Sequence, residues 1–380
     1  MHHISDNVRY IGVDDKTLDL FESQYVIPNG VSYNSYVIFD EKIAVMDTVD
    51  GRKTEEWLTN LKRELNGKTP DYLVISHMEP DHSASVATFL KEYPETNVVG
   101  NAKTFTIAER FFGDVFLNRV TVKDGETLSL GERSLTFVFA PMVHWPEVMV
   151  SYEAKEKILF SADAFGKFGA LDADEDWDCE ARRYYFNIVG KYGNMVQQLL
   201  KKAAALDIQT ICPLHGPILR ENLSHYLEKY DIWSSYRAEN EGTFIACASI
   251  HGHTKEAMLK LKALLEAKGE KVSFADVTRD DMAEAVEDAF RYDKAIFAAC
   301  TYDAGLFPPM EDFLNHLKAK NYQNRKIALV ENGSWAPFAA KIMRGMLEGQ
   351  KNLTIGETLT IPSALKDDGA LAAFAENFLK

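Results

Sequence analysis

The stretch Tyr72-Leu73-Val74-Ile75-Ser76-His77-Met78-Glu79-Pro80-Asp81-His82-Ser83 decides how this chain is read. Its first four residues form a short apolar run of the buried-strand type. The next eight carry four potential metal ligands, His77, Glu79, Asp81 and His82, where a strand gives way to a loop and helix. Ligands at a strand end sit on a rigid edge. Burying those carboxylates side by side without a cation costs several kcal/mol per charge, and a bound metal supplies the compensating charge.

Three more candidates stand in comparable places. His144 follows the strand Leu135–Ala140 in Pro141-Met142-Val143-His144-Trp145-Pro146. Asp163 follows Ile158-Leu159-Phe160 in Ser161-Ala162-Asp163-Ala164, and His215 follows Ile211-Cys212 in Pro213-Leu214-His215-Gly216-Pro217. Taken singly, a histidine after a strand is more often structural. Taken together, four imidazoles and three carboxylates exceed what one tetrahedral zinc uses, and they suffice for two ions with a bridge. Oxygen ligands mixed with imidazole, and no thiolate, favour iron or manganese. Two metals sharing a carboxylate suit the binding and reduction of a diatomic molecule.

Outward from this cluster, Ser35–Phe39, a turn at Asp40-Glu41 and Lys42–Met46 read as a hairpin. A helix is predicted at about 52–66, a strand-rich block over about 120–160 and helices at about 180–206 and 221–237. Meanders with helices between them predict two sheets covered by helices, an α/β sandwich. After Ala238-Glu239-Asn240-Glu241-Gly242 the rhythm changes. Strands at Thr243–Cys247, Lys271–Phe274, Ala295–Ala299, Ile327–Val330 and near Leu353–Leu359 alternate with helices, which predicts an open parallel sheet with its ligand beyond the carboxyl ends of the strands. The expected domains are 1–240 and 243–380.

In the second of these, Ser249, Ile250, His251, Gly252, His253 and Thr254 lead from the first strand into a helix. Hydroxyls, a glycine and a helix N-terminus make a phosphate cradle. Neither a nucleotidase P-loop nor a dinucleotide fingerprint is present. The third strand ends in Thr301, Tyr302, Asp303, Ala304, Gly305, Leu306 and Phe307, the fourth in Asn332, Gly333, Ser334 and Trp335. Tyr302 and Trp335 are placed to flank a flat ring.

Composition narrows the partners. The 380 residues are 46% hydrophobic and carry a net charge of −15. Residues 243–380 hold 17 Lys and Arg against 19 Asp and Glu, and residues 1–242 hold 25 against 38, so neither half is basic and no nucleic-acid partner is expected. Four scattered cysteines without a Cys-x-x-Cys exclude a disulfide scaffold and a thiolate-bound rubredoxin-type iron. No signal peptide or membrane helix is legible, so no membrane partner is expected and a cytoplasmic location is the default.

The His77-x-Glu79-x-Asp81-His82 motif resembles the metallo-β-lactamase-like superfamily, in which most hydrolases carry H-x-H-x-D-H. The glutamate form is that of its flavodiiron branch. The resemblance implies an αββα sandwich with His77, Glu79 and His144 on one iron, Asp81, His82 and His215 on the other, and Asp163 bridging them, all seven serving catalysis. The second half resembles flavodoxin, a doubly wound parallel sheet with FMN held by the three loops above; His253 stands where the S/T-x-x-G-N-T phosphate loop has Asn. The order of halves matches short flavodiiron proteins, with no rubredoxin or reductase module expected before Lys380. The implied activity is reduction of dioxygen to water, nitric oxide to nitrous oxide, or both. FMN would relay electrons from an external donor such as rubredoxin (a deazaflavin in some relatives). A head-to-tail homodimer, or a dimer of such dimers, is also implied. Two other readings stay open on the residues alone: a dinuclear zinc hydrolase, of thioesterase or lactonase type, with a flavodoxin-like module, and an FMN- and iron-binding electron carrier or sensor without turnover.

Overall fold

The computed structural model describes residues 4–380. The chain divides into two compact units, Met1–Tyr185 with Asn194–Asp231, and Phe186–Gly193 with Ile232–Lys380.

The first unit is built on two sheets. One contains β1 (Val8–Tyr10), β2 (Tyr36–Ile38), β3 (Ala44–Met46), β4 (Tyr72–Val74), β5 (Asn97–Gly100) and β6 (Arg119–Thr121) in that spatial order. β1, β2 and β3 pair antiparallel, and β3 to β6 pair parallel. The other contains β7 (Thr127–Ser129), β8 (Ser134–Phe139), β9 (Met149–Glu153), β10 (Ile158–Phe160) and β11 (Thr210–Cys212), with only β10 and β11 parallel. Side chains two apart along each strand share a face. Tyr36 and Ile38, Ala44 and Met46, and Tyr72 and Val74 therefore meet Leu135, Phe137, Met149, Ile158 and Phe160 in one core between the sheets. Helices lie outside. In Thr54–Leu65 the buried Trp57, Leu61 and Leu65 recur every four residues, and the helix ends at Asn66 in the left-handed conformation. Short strand pairs at Val13–Asp15 with Val31–Tyr33 and at Leu20–Phe21 with Tyr25–Val26 precede the hairpin. At two or three residues each they are too brief to leave a periodic signal.

The helix predicted over 180–206 is interrupted. Trp177–Tyr184 passes into a π-helical turn, Tyr185–Val189, and a 3-10 turn, Gly190–Tyr192, before Gly193–Ala203 resumes. The Tyr236 hydroxyl donates to the carbonyl of Gly190 and accepts from the amide of Gly193, so a side chain satisfies backbone groups that a continuous helix would pair internally. A Cβ at Gly193 would lie only 2.3 Å from the backbone oxygen of Ser234.

The second unit carries β12 (Asn240–Ala248), β13 (Val272–Asp276), β14 (Tyr292–Tyr302), β15 (Lys326–Asn332) and β16 (Thr354–Ile361), all parallel in the order β13-β12-β14-β15-β16. Phe244–Ala248 and Ala295–Ala299 are buried without alternation, as expected of strands covered on both faces. The strand order reverses between β12 and β14, and a doubly wound sheet binds its ligand at such a point. Among the described residues no helix is long and apolar enough to cross a membrane.

Candidate metal centre and ligand cleft

The seven predicted ligands converge. His77 and Glu79 follow β4, Asp81 and His82 lie in the short helix Pro80–Ser83, His144 sits between β8 and β9, and Asp163 and His215 follow the parallel neighbours β10 and β11. Backbone bonds lock these loops together. Met149 donates to the carbonyl of Ser76 at 3.1 Å, Ser161 to that of Cys212 at 3.1 Å and Leu214 to that of Ala162 at 2.9 Å. Thr48 holds the carbonyl of His82 through both its amide, at 3.0 Å, and its hydroxyl, at 2.6 Å.

Asp163 divides the cluster. Its Oδ2 lies 3.2 Å from Nε2 of His144 and 3.4 Å from Nε2 of His77, and its Oδ1 lies 3.4 Å from Nε2 of His82. Glu79 Oε2 joins the first group, 2.9 Å from His144 and 3.1 Å from His77. Asp81 Oδ2 joins the second, 3.2 Å from both His82 and His215. The potential ligand atoms fall into two sets, His77, Glu79, His144 and Asp163, and Asp81, His82 and His215; within each set all lie within 4.8 Å of one another.

Both oxygens of Asp81 and Oδ1 of Asp163 are buried and accept no hydrogen bond. Such atoms are costly unless a cation answers them. The electrostatics agree. Burial drives the His82 imidazolium toward neutrality, yet the charges of Asp81 and Asp163 overcome this and raise its pKa to about 10. His144 rises to about 9 against the same burial because it hydrogen-bonds Asp163 and Glu79. Burial likewise opposes ionisation of Asp163, and the surrounding histidines, His77 foremost, hold its carboxyl well below the usual range. A field that keeps protons on buried imidazoles equally attracts divalent cations, and the donor set fits two of them.

Several contributors were not legible in the sequence. His215 Nδ1 donates to the carbonyl of Ser32 at 2.7 Å, and the rings of Phe21, Tyr33 and Tyr184 surround its imidazole at 5.4–6.0 Å between centroids. Asp47 accepts from the amide of Ser76 at 2.7 Å. Glu147 lies 3.0 Å from Nδ1 of His77. Only Glu147 had a local signal, its place three residues after His144. Trp145, beside that ligand, packs edge-on against His77 at 5.2 Å.

In the second unit a cleft of about 940 Å³ opens at the carboxyl ends of β12, β14 and β15. This volume lies within the range of about 300–1,000 Å³ usual for cofactor sites. Ser249, Ile250, His251, His253 and Thr254 line it, with Thr301, Tyr302, Asp303 and Ala304 and with Asn332, Gly333, Ser334 and Trp335. Gly252, Gly305, Leu306 and Phe307 are not among the lining residues. Gly252 turns the chain into the helix His253–Ala267 at φ 91°, and Gly305 and Leu306 pair back onto Tyr302 and Thr301. Thr254 Oγ1 accepts from Asn332 Nδ2 at 3.1 Å and lies 3.1 Å from Sγ of Cys300, which ties the three loops together. Tyr302 is 45% exposed and Trp335 93% exposed, leaving aromatic faces open at the mouth. A Cβ on Gly252 would meet nothing within 4 Å, so the loop's backbone is open to a phosphate group. Hydroxyls, open backbone and a helix start at one end, with flat apolar faces at the other, fit a flavin mononucleotide.

Residues 31–216 match the family model described as ODP family beta lactamase. A nitric oxide reductase of Moorella thermoacetica is 29% identical over 93% of this chain and 91% of its own length. The chain has the fold of the flavodiiron proteins. An anaerobic nitric oxide reductase flavorubredoxin of Vibrio vulnificus is 27% identical over 88% of this chain and 70% of its own. The same fold appears in the rubredoxin oxygen:oxidoreductase of Desulfovibrio gigas, with a TM-score of 0.88, 24% identity and coverage of 99% of this chain and 98% of that one. A variant of the flavo di-iron protein of Thermotoga maritima gives a TM-score of 0.90 at 24% identity, covering 98% and 95%. The chain carries two distinct arrangements, a carboxylate–imidazole centre on the first unit and a nucleotide-sized cleft on the second.

Proposed function

We propose that this chain is a flavodiiron oxidoreductase that reduces dioxygen to water or nitric oxide to nitrous oxide, using two irons and FMN. The observation that carries the reading is the division of Asp163, whose two oxygens face two separate ligand sets. His77, Glu79 and His144 would hold one iron, Asp81, His82 and His215 the other, and Asp163 both. When bound, the irons and the flavin each supply up to two electrons, matching the four that dioxygen needs and exceeding the two that a pair of nitric oxide molecules needs. The protein's own part is positional. The β-strand ends hold the ligands, Asp163 sets the spacing of the two sets, and the rings of Phe21, Tyr33 and Tyr184 shelter His215 from water.

On the second unit, Ser249, Thr254 and the backbone around Gly252 would take the FMN phosphate, and Tyr302 and Trp335 would flank its ring. An external donor would reduce the flavin; a rubredoxin is the donor the family relation favours. A head-to-tail homodimer, or a pair of such dimers, would bring the flavin of one copy to the irons of another. A cytoplasmic location suits the reduced thiols of Cys212, Cys247 and Cys300.

Metal and flavin analysis followed by anaerobic mixing with each gas tests the reading. Two irons and one FMN per chain, with rapid reoxidation by dioxygen or nitric oxide, are expected. Zinc in place of iron together with thioester cleavage would establish a hydrolase instead, and reoxidation slower than about one event per minute would indicate a carrier or sensor.

A further inference from the structure

The two ligand sets differ in what stands behind their histidines. Behind His77 is Glu147, whose side chain is buried to 0% exposure. Its Oε1 lies 3.0 Å from Nδ1 of His77 and accepts the amide of Met78 at 2.9 Å. The backbone of Glu147 is anchored as well, since its carbonyl accepts from Nδ2 of Asn101 at 2.6 Å. Asn101 is itself held as the cap of the helix Ala102–Phe112, its Oδ1 accepting from the amides of Lys103 and Thr104. These contacts place the carboxylate so that Oε1 faces Nδ1 of His77, while its Oε2 is buried without a hydrogen-bond partner.

Behind the other set the supports are weaker. His215 donates its Nδ1 proton to a neutral carbonyl, that of Ser32 at 2.7 Å. Nδ1 of His82 is buried without a hydrogen-bond partner. A ligating histidine whose outer nitrogen donates to a carboxylate keeps one tautomer and gains basicity at the ligating nitrogen, and such partners commonly change metal affinity by about 10–100-fold. For His77 the ligating nitrogen is Nε2, which faces Oδ2 of Asp163 at 3.4 Å. Glu147 also adds a full negative charge next to a set that already contains Glu79.

We infer that Glu147 is a positioning residue that makes the His77–Glu79–His144 site the tighter of the two, so that it fills first and empties last. The inference rests on the two-metal reading above. It assigns Glu147 no contact with substrate; the residue acts through the orientation and basicity of His77.

The test is an anaerobic competition titration of the full chain with ferrous iron against a coloured chelator, for the wild type, Glu147→Gln and Glu147→Asp. Circular dichroism of the metal-free proteins checks folding. Two resolvable affinities are expected in the wild type. In Glu147→Gln the tighter one should weaken about 10–100-fold while the weaker moves less than threefold. Glu147→Asp, which keeps the charge, should recover at least part of the loss and serves as the test if the glutamine variant does not fold. Cobalt(II) as a second probe should show altered visible bands for the first equivalent only. Two iron sites of unchanged affinity in Glu147→Gln, or equal losses at both, would overturn the inference and leave the two-metal reading standing. A wild type that binds no iron would defeat the two-metal reading and the inference with it.

Discussion

The Nε2 atoms of His82 and His215 face each other across 3.0 Å. His215 directs its Nδ1 proton to the carbonyl of Ser32, so its Nε2 lone pair points inward at His82. Two imidazoles aimed at one point, with Asp81 Oδ2 3.2 Å from each, describe half of a coordination shell. Metal binding at such a point is folding free energy, because the unfolded chain lacks the site. With free metal at a hundredfold excess over Kd, one site adds about 2.7 kcal/mol. At about 2–4 °C per kcal/mol for a unit of this size, stripping the iron should lower its unfolding temperature by about 5–10 °C for each site emptied. Calorimetry with and without a strong chelator measures this, and an unchanged transition would speak against the centre.

Asp163→Asn should break the link between the two sets. The amide keeps the shape but loses the charge that the surrounding histidines stabilise, and its nitrogen is no ligand. Iron should fall from two per chain to one or fewer, and turnover by at least about 100-fold, while flavin absorbance stays at one equivalent. Full iron content with unchanged rate would remove Asp163 from the bridge.

Gly252→Val addresses the other unit. Gly252 sits at φ 91°, where a β-branched residue costs on the order of 1–3 kcal/mol. The space around it is open, so the penalty is conformational and the loop should move away from its cradle shape. FMN affinity should fall by about tenfold or more, with iron content unchanged. Flavin retained at wild-type affinity would show that the phosphate sits elsewhere.

Stability of the second unit should depend on acid through Asp276. Burial pushes its carboxyl upward, but hydrogen bonds from Lys255 at 2.8 Å and Thr278 at 2.6 Å outweigh it and hold the pKa below the ordinary value. A depressed carboxyl stabilises the fold above its unfolded pKa of about 3.9 and loses that contribution as the pH falls through its folded value. Asp276→Asn should therefore cost about 1 kcal/mol at pH 7 and progressively less below about pH 4. Urea unfolding at both pH values checks the sign; a gap that widens in acid would contradict it.

The proposed homodimer makes a kinetic prediction. If the flavin of one copy serves the irons of another, specific activity should fall as the protein is diluted through its dimer dissociation, in step with the monomer fraction seen by analytical ultracentrifugation. A chain that is monomeric and fully active would rule the arrangement out.

Much of this was written locally. Five strands in the second half alternate with helices at the spacing of a parallel sheet, and the candidate ligands fall in the loops and short helix that follow their strands, because strand periodicity and turn residues act over a few positions. The His-x-Glu-x-Asp-His run needed no tertiary information to mark a candidate metal site. Interruption of the helix at Gly190–Tyr192 was different, since it depends on Tyr236, more than 40 residues onward. So was Glu147, whose role appears only when β9 packs beside the loop after β4 and brings it against His77. The sequence by itself determined which side chains are available and at which strand ends they stand. Which side chain faces which oxygen of Asp163 was decided by sheet packing, because His144, His82 and His77 come within 3.2–3.4 Å of it from 19 to 86 positions away, and those distances are set by the core that aligns the strands, not by any neighbour along the chain.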